Sequence, residues 1–266
     1  MSGWAEWLAA HGDADPATVA DVERVLEAAA LRTGDTVLDV GAGLGLLTLA
    51  AHERIGEGWV IAVDPSVGAL EELLALAHTA NASGIMYLVG DAEVLPLPDA
   101  SVDVAVLGSA LLLVADRAAA VRELARVVRP GGRLSLREPV RGDGGDPATA
   151  VDWSSLGELG VRAGALAAEL ASADPPLLDA GWLERELDAS GFVDIVAAVE
   201  GTASHLTAGA LADALEAPEG GDPSSVPRRD SFTPAEVDSI VSHLRRVEAA
   251  ATVGTTPQLF LSARRA

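Results

Sequence analysis

Apolar residues along this chain gather into short, dense runs punctuated by glycine, proline and acids, with no single repeating stripe. Five runs in the first half read as strands buried on both faces: Thr36 to Val40, Trp59 to Asp64, Ile85 to Val89, Val102 to Gly108 and Arg133 to Pro139. Between them the apolar spacing widens to the helical period and predicts helices over Leu46 to about Glu53, Val67 to Asn81 and Asp116 to about Val128. Arg129-Pro-Gly-Gly132 ends the last of these helices and turns the chain into the fifth strand. Two further strands, Phe192 to Ala198 and Gln258 to Ala263, come late and are separated by more chain than a hairpin needs. Strands alternating with helices predict an α/β fold around a doubly wound, largely parallel sheet.

The junction of the first strand with its helix carries the densest chemistry. Asp39 stands two residues ahead of Gly41, and Gly41, Gly43 and Gly45 follow at alternate positions before Leu46. Glycines here let the chain turn tightly and bring its backbone close to a ligand, and the helix that follows opens with free amides facing it. A dinucleotide fingerprint needs its third glycine one position later, where Leu46 stands. On this loop alone, a glycine-rich turn in an ordinary Rossmann-like fold stays open. Asp64 ends the second strand 25 residues after Asp39, where a carboxylate binds the two hydroxyls of a ribose; it can also cap the helix from Val67. Asp91, in Gly90-Asp-Ala-Glu93 after the third strand, reads in isolation as a turn residue.

The G-x-G-x-G form with Asp39 ahead of it resembles motif I of class I S-adenosylmethionine-dependent methyltransferases. The likeness continues in order through Asp64, Gly90-Asp-Ala-Glu93, Leu95-Pro-Leu-Pro-Asp-Ala-Ser-Val-Asp103 and the Arg129-Pro-Gly-Gly132 corner. It covers roughly Leu31 to Val140, is nearest the menaquinone/ubiquinone-type small-molecule methyltransferases, and fades to general architecture beyond Val140. The resemblance implies a Rossmann-like, seven-stranded doubly wound sheet with an antiparallel last strand and a helical cap, and S-adenosylmethionine as cofactor. The cofactor residues it implies are Asp39, Gly41, Gly43, Gly45, Asp64, Asp91, Ala92 and Ser109. Asp91 would accept from the adenine amino group, the Ala92 amide would donate to the ring, and Ser109 would meet the methionine moiety through its backbone. An S-adenosylmethionine-binding protein of the same fold with other chemistry, or with no catalytic role, is the alternative. An NAD-dependent dehydrogenase is disfavoured by Leu46.

Composition narrows the function classes. At 266 residues and 49% apolar content, the chain suits one domain spanning 1–266. Its core would be about 31–140, 191–200 and 257–266, with cap segments about 1–30, 141–190 and 201–256. The N-terminus carries Glu6, Asp13 and Asp15 with no basic lead, and the longest uncharged apolar run, Val104 to Ala115, is too short to span a bilayer. A cytoplasmic protein without a membrane partner is expected. Cysteine is absent, which excludes disulfides, thiolate zinc and a cysteine nucleophile. All 18 cations are arginine, so no lysine can form a Schiff base. The histidines show no i, i+4 pairing, and no metal is expected. With a net charge of −22 and no basic cluster larger than Arg228-Arg229, Arg245-Arg246 or Arg264-Arg265, nucleic acid is not expected as a partner.

The expected partner is a small-molecule acceptor, chosen by the cap; a homodimer is left open. Trp4, Trp7 and Trp153 fall in cap segments, where they either cover a ligand or anchor helices on the core. Helices are expected over Thr207 to Glu216 and Pro234 to Ala249, the latter capped by Thr233 with Glu236, and a loop over Pro218 to Arg229. Methyl transfer needs a general base only when the acceptor must lose a proton. Glu138, at the end of the fifth strand, and His205, just after the sixth, are the candidates; a structural or solvent-exposed role is the competing reading for each. Relatives often carry a histidine or tyrosine between Ser109 and Val114, where this chain has only serine and aliphatics.

Overall fold

A computed structural model describes residues 16–140, 151–172, 177–200, 208, 212, 215, 232–247 and 257–266, with side chains left aside at 16, 17 and 166–172. Its elements in order are α1 Pro16–Ala29, β1 Thr36–Val40, α2 Leu46–Ile55, β2 Trp59–Asp64, α3 Val67–Thr79, β3 Ile85–Val89, β4 Val102–Gly108, α4 Arg117–Val127 and β5 Val128–Pro139. They continue with α5 Glu158–Ser172, α6 Ala180–Ala189, β6 Phe192–Glu200, α7 Pro234–Leu244 and β7 Gln258–Arg265. The chain divides into two compact units, one of residues 1–140, 178–200 and 258–266 and the other of residues 141–177 and 201–257.

The first unit is built on a seven-stranded sheet ordered β3-β2-β1-β4-β5-β7-β6. The β1, β2, β3, β4 and β5 strands pair in parallel, and β7 runs antiparallel to both β5 and β6. Strand order reverses between β1 and β4, so a crevice opens at their carboxyl ends. The central strands are continuously apolar because both faces are covered. Val37, Val60, Val104, Val106 and Phe260 pack beneath α1 and α2 on one face. Leu38, Val40, Ala105, Leu107, Leu134 and Leu136 pack beneath α4 and α6 on the other. The edge strand β6 alternates instead, with Phe192 buried and Val196 and Val199 exposed.

Helix starts follow local capping chemistry. Ser66 accepts from the Ala69 amide ahead of α3, and Asp116 accepts from the Ala119 amide at 2.9 Å ahead of α4. The α2 helix differs, since Gly45 at its N-cap supplies no side chain.

Three boundaries differ from the sequence reading. Strand β5 begins at Val128, and the Arg129-Pro-Gly-Gly132 corner is a bulge within it: Val102 pairs with Val128, but Val104 pairs with Arg133. Helix α6, read above as part of a cap segment, belongs to the sheet unit because Leu183 and Leu187 are buried in its core. The α1 helix also belongs there, where Val22, Val25 and Leu26 close one face of the sheet.

In the second unit, α5 and α7 share a small apolar core with Val151, Ala208, Ala212 and Leu215, the last three all helical. Thr233 and Glu236 form the expected capping box at the start of α7. Trp153 packs at this core with its ring 5.5 Å from that of His243, an anchoring role within the unit. Trp4, Trp7, the Pro218 to Arg229 loop and most of the Thr207 to Glu216 helix lie outside the described residues. Among the described residues no helix is long and apolar enough to cross a membrane.

Candidate functional site

Leaving β1, the chain folds straight back onto β2: the Gly41 and Ala42 amides both donate to the Val63 carbonyl, at 2.8 and 3.1 Å. This reversal needs positive φ at Gly41, +71°, and again at Gly45, +87°, where α2 begins. Space imposes the same choice. A Cβ on Gly41 would stand 2.5 Å from the Ala110 Cβ, and one on Gly45 would stand 2.0 Å from Leu73 Cδ1. The glycine loop is thus pressed between the segment after β4 and helix α3.

Two clefts meet at Gly41. The first, about 360 Å³, is lined by Asp39, Gly43, Leu44, Gly108, Ser109 and Arg137 with Thr18 and Asp21 of α1. The second, about 440 Å³, is lined by Asp64, Ser66, Asp91, Ala92, Glu93 and Leu113. Gly45 lines neither and shapes the turn from behind.

Asp64 joins the two clefts. Its Oδ2 accepts from the Gly43 amide at 2.9 Å and its Oδ1 from the Ser66 amide at 2.8 Å. The carboxylate therefore locks the glycine loop to the end of β2, while the cap of α3 is Ser66 itself. A carboxylate offers about four lone-pair sites, so Asp64 retains acceptor capacity toward the second cleft. Asp91 faces that cleft with Ala92, and its Oδ1 accepts from the Glu93 amide at 2.9 Å, which makes it a turn residue as well.

Asp39 is almost fully buried and accepts from the Thr48 hydroxyl at 2.6 Å. Burial pushes its pKa up to about 7, against the pull of the Thr48 hydroxyl and amide; the nearby Asp64 charge adds to the rise. Ser109 sits at φ +59° and donates its amide to the Arg137 carbonyl at 2.8 Å, so that amide is already committed to the sheet.

Glu138 does not face the clefts. It is fully buried, with Oε1 accepting from the Ala110 and Leu111 amides at 2.8 Å each and Oε2 from the Leu112 amide at 3.4 Å. Burial raises its pKa to about 7, while those three amides and Arg137 draw it down. Its place is beneath the 3-10 turn Leu111–Leu113, as an anchor for the segment that walls the clefts, which is the structural role set above against that of a base. His205 lies outside the described residues. Among the described residues no cluster of three or more His, Cys, Asp or Glu could hold a metal ion.

Sequence reasoning did not find Arg137 or Asp21. The available signal was parity in β5: Leu134 and Leu136 belong to the α4 and α6 face, so Glu138 shares it and Arg137 points the opposite way, toward α1.

Residues 38–136 match the family described as a methyltransferase domain. Over 112 residues the chain is 37% identical to the ubiquinone/menaquinone biosynthesis C-methyltransferase of Xanthomonas oryzae pv. oryzae, a match covering 41% of this chain and 44% of that one. The chain spans less than half the length of the curated relatives it matches. Among solved structures, the fold is shared with phosphoethanolamine N-methyltransferase 2 of Haemonchus contortus in complex with S-adenosyl-L-methionine, at TM-score 0.59 and 20% identity over 99% of this chain and 57% of that one. It is shared too with the 4+2 cyclase SpnF, at TM-score 0.62 and 23% identity over 94% of this chain and 82% of that one. The glycine loop lies within residues 38–136, and over that stretch the chain is similar in sequence to the methyltransferase-domain family and to methyltransferases within it.

Proposed function

We propose that this chain transfers the methyl group of S-adenosylmethionine to a small-molecule acceptor at the carboxyl end of its sheet. The observation that carries the reading is the pair of clefts meeting at Gly41, with Asp64, Asp91 and Ala92 on one side and Asp39, Gly43 and Ser109 on the other. These residues fit the cofactor. The Gly41 cradle is one that any Cβ would fill, α2 opens without a side-chain cap, and Asp64 keeps lone pairs for ribose hydroxyls. The second cleft is the adenosine side, with Asp91 and the Ala92 amide for adenine; the first takes the amino-acid tail. The relative named for ubiquinone and menaquinone biosynthesis supports a small acceptor, and the net charge of −22 supports one other than nucleic acid. A cytoplasmic location belongs to the same proposal.

When bound, S-adenosylmethionine supplies a methyl group already activated on a sulfonium sulfur. The protein's share is orientation: Asp64 and the glycine loop fix the ligand, so the acceptor gains from proximity. The wall from Ala110 to Val114 is aliphatic and accepts no proton. A second reading keeps fold and cofactor but changes the chemistry, and that aliphatic wall favours it, as does the fold shared with a cyclase.

Calorimetric titration with S-adenosylmethionine, S-adenosylhomocysteine and NAD tests the cofactor; micromolar binding of the first two and none of NAD is the expected result. Incubation with a panel of small hydroxyl, amine and carbon acceptors then separates the readings, since only a transferase releases S-adenosylhomocysteine in step with acceptor loss. Asp64→Ala is expected to weaken cofactor binding by roughly 1.5 to 3 kcal/mol, since it removes hydrogen bonds to a charged acceptor. Unchanged affinity in that variant rules out the ribose assignment.

A further inference from the structure

The second cleft has walls from two distant parts of the chain. One is the turn Asp91-Ala92-Glu93 after β3, and the other is the segment from Ala110 to Ala115 after β4. Glu93 reaches across. Its Oε1 accepts from the Asp116 amide at 2.8 Å, 23 residues further along the chain, while its own amide donates to Asp91 Oδ1 at 2.9 Å. A line of two hydrogen bonds therefore runs from the start of α4 through Glu93 to the Asp91 carboxylate. Asp64, Asp91 and Glu93 put three acids on one cleft, and their mutual repulsion favours turning one of them onto a donor outside it. A glutamate with no task would stay in water, whereas this one is half-buried and ends on a backbone amide.

Other contacts fix each wall to its own support. Past Glu93, the Leu95 amide donates to Glu123 Oε2 at 2.8 Å, and Arg126 donates to the Leu95 and Leu97 carbonyls at 3.0 and 2.7 Å. Across the cleft, Glu138 holds the Ala110 and Leu111 amides from below, and Arg117 donates to the Leu112 carbonyl at 3.0 Å. Helix α4 thus grips the loop after β3 at two places, through Glu123 and Arg126 at its far end and through the Asp116 amide at the cleft. Only the second grip bears on a residue that faces the ligand. Resting on the function proposed above, we propose that Glu93 is a positioning residue: it clasps the Asp91 turn to the start of α4 and so sets the width of the adenosine cleft and the aim of the Asp91 carboxylate. The clasp needs an oxygen acceptor at the end of the side chain, which glutamine also offers and alanine does not.

Full-length wild type, Glu93→Ala and Glu93→Gln are compared in two measurements. Hydrogen exchange at the Asp116 amide, read by nuclear magnetic resonance, needs no ligand. It is expected to quicken at least about 10-fold in Glu93→Ala and to stay within about threefold of wild type in Glu93→Gln, while the Leu95 amide changes less than about twofold in either. Calorimetric titration then compares S-adenosylhomocysteine with S-inosylhomocysteine, which carries an oxo group where adenine carries its amino group. Wild type is expected to prefer the adenosyl ligand by at least about 10-fold, the worth of a hydrogen bond to a charged acceptor. Glu93→Ala should lose most of that preference, and Glu93→Gln should keep it within about threefold. A residue that only braced the fold would weaken both ligands together and leave their ratio alone. Unchanged exchange at Asp116 in Glu93→Ala overturns the clasp, and an unchanged ligand ratio in that variant overturns the positioning role. Glutamine behaving like alanine overturns both, because charge and not an acceptor oxygen is then what matters. Wild type that binds both ligands alike also overturns the positioning role. If wild type binds neither, the cofactor reading falls and takes the positioning role with it, and exchange at Asp116 alone decides whether the clasp exists.

Discussion

Replacing Gly41 by alanine is expected to abolish measurable cofactor binding and to lower the melting temperature by roughly 5 to 15 °C. Two costs add at this position. The residue holds φ at +71°, which charges a side-chain-bearing residue about 1 to 2 kcal/mol. The new Cβ would also stand 2.5 Å from the Ala110 Cβ, an overpacking cost of roughly 1 to 3 kcal/mol. Ala110 cannot retreat freely, because its amide is tied to Glu138 Oε1 at 2.8 Å. Gly41 is tied as well, through its amide to the Val63 carbonyl at 2.8 Å. The strain therefore falls on the walls of both clefts, which Gly41 shares. Gly43→Ala is the control. Its φ of +52° carries a similar backbone cost, but the nearest atom to its Cβ would be the Gly41 carbonyl oxygen at 4.0 Å. That variant should melt only a few degrees lower, by the backbone cost alone. Thermal unfolding and calorimetric titration of both variants decide the matter; equal behaviour would show that the contact with Ala110 is not what demands glycine at position 41.

The same loop shows how far the amino-acid sequence specifies this site. Gly41 and Gly45 are legible because each combines positive φ with a close approach that leaves no room for a Cβ, so backbone requirement and residue identity coincide; Gly43 shares the positive φ alone. Asp64 is legible because an acid at the end of an apolar strand is conspicuous, although its grip on the Gly43 and Ser66 amides is not. Arg137 and Glu138 resisted reading for a physical reason. They are adjacent charged residues near the end of one strand, and only strand parity divides them, sending Arg137 to the cleft beside α1 and Glu138 under the 3-10 turn. Parity in turn depends on the register of β5, and the bulge between Val128 and Arg133 resets it.

For the fold, the five parallel strands were legible because continuous apolar runs have few alternatives once glycine and proline bound them. Helix α6 was less so. Its pattern is amphipathic, with Leu183 and Leu187 on one face, but a stripe of that kind does not say which body it covers. Residues 141–177 and 201–257 form their own unit around Ala163, Val237, Ile240 and Leu244, from segments far apart in sequence. Pairing of that kind is a long-range contact, which local periodicity does not encode.

Glu138 yields the second large effect, and its two substitutions should separate. Glu138→Ala leaves the buried amides of Ala110, Leu111 and Leu112 without an acceptor and is expected to destabilise the fold by about 3 kcal/mol or more. Glu138→Gln keeps one carbonyl oxygen for the two short bonds and should cost far less at neutral pH. Acidity distinguishes them further. Folding raises the Glu138 pKa from 4.5 to about 7, so between those values the folded state binds more protons than the unfolded state. Stability from this group is full below about pH 4.5 and is lost as pH rises through 7; the whole swing is on the order of 3 kcal/mol. Oε2, whose single contact is the long one of 3.4 Å, is the oxygen free to carry the proton. Asp39 titrates in the same direction, with its pKa also raised to about 7, but it is common to wild type and variant and cancels in the difference. Urea unfolding of wild type and Glu138→Gln from pH 4.5 to 8.5 should therefore show the wild-type advantage shrinking steadily and levelling off above neutrality. A difference that is flat across that range would mean that Glu138 titrates alike in the folded and unfolded states. Transfer assays close the alternative: a true general base would lose about 10²- to 10⁴-fold in rate as glutamine, whereas an anchor beneath the Ala110 to Leu112 turn loses much less.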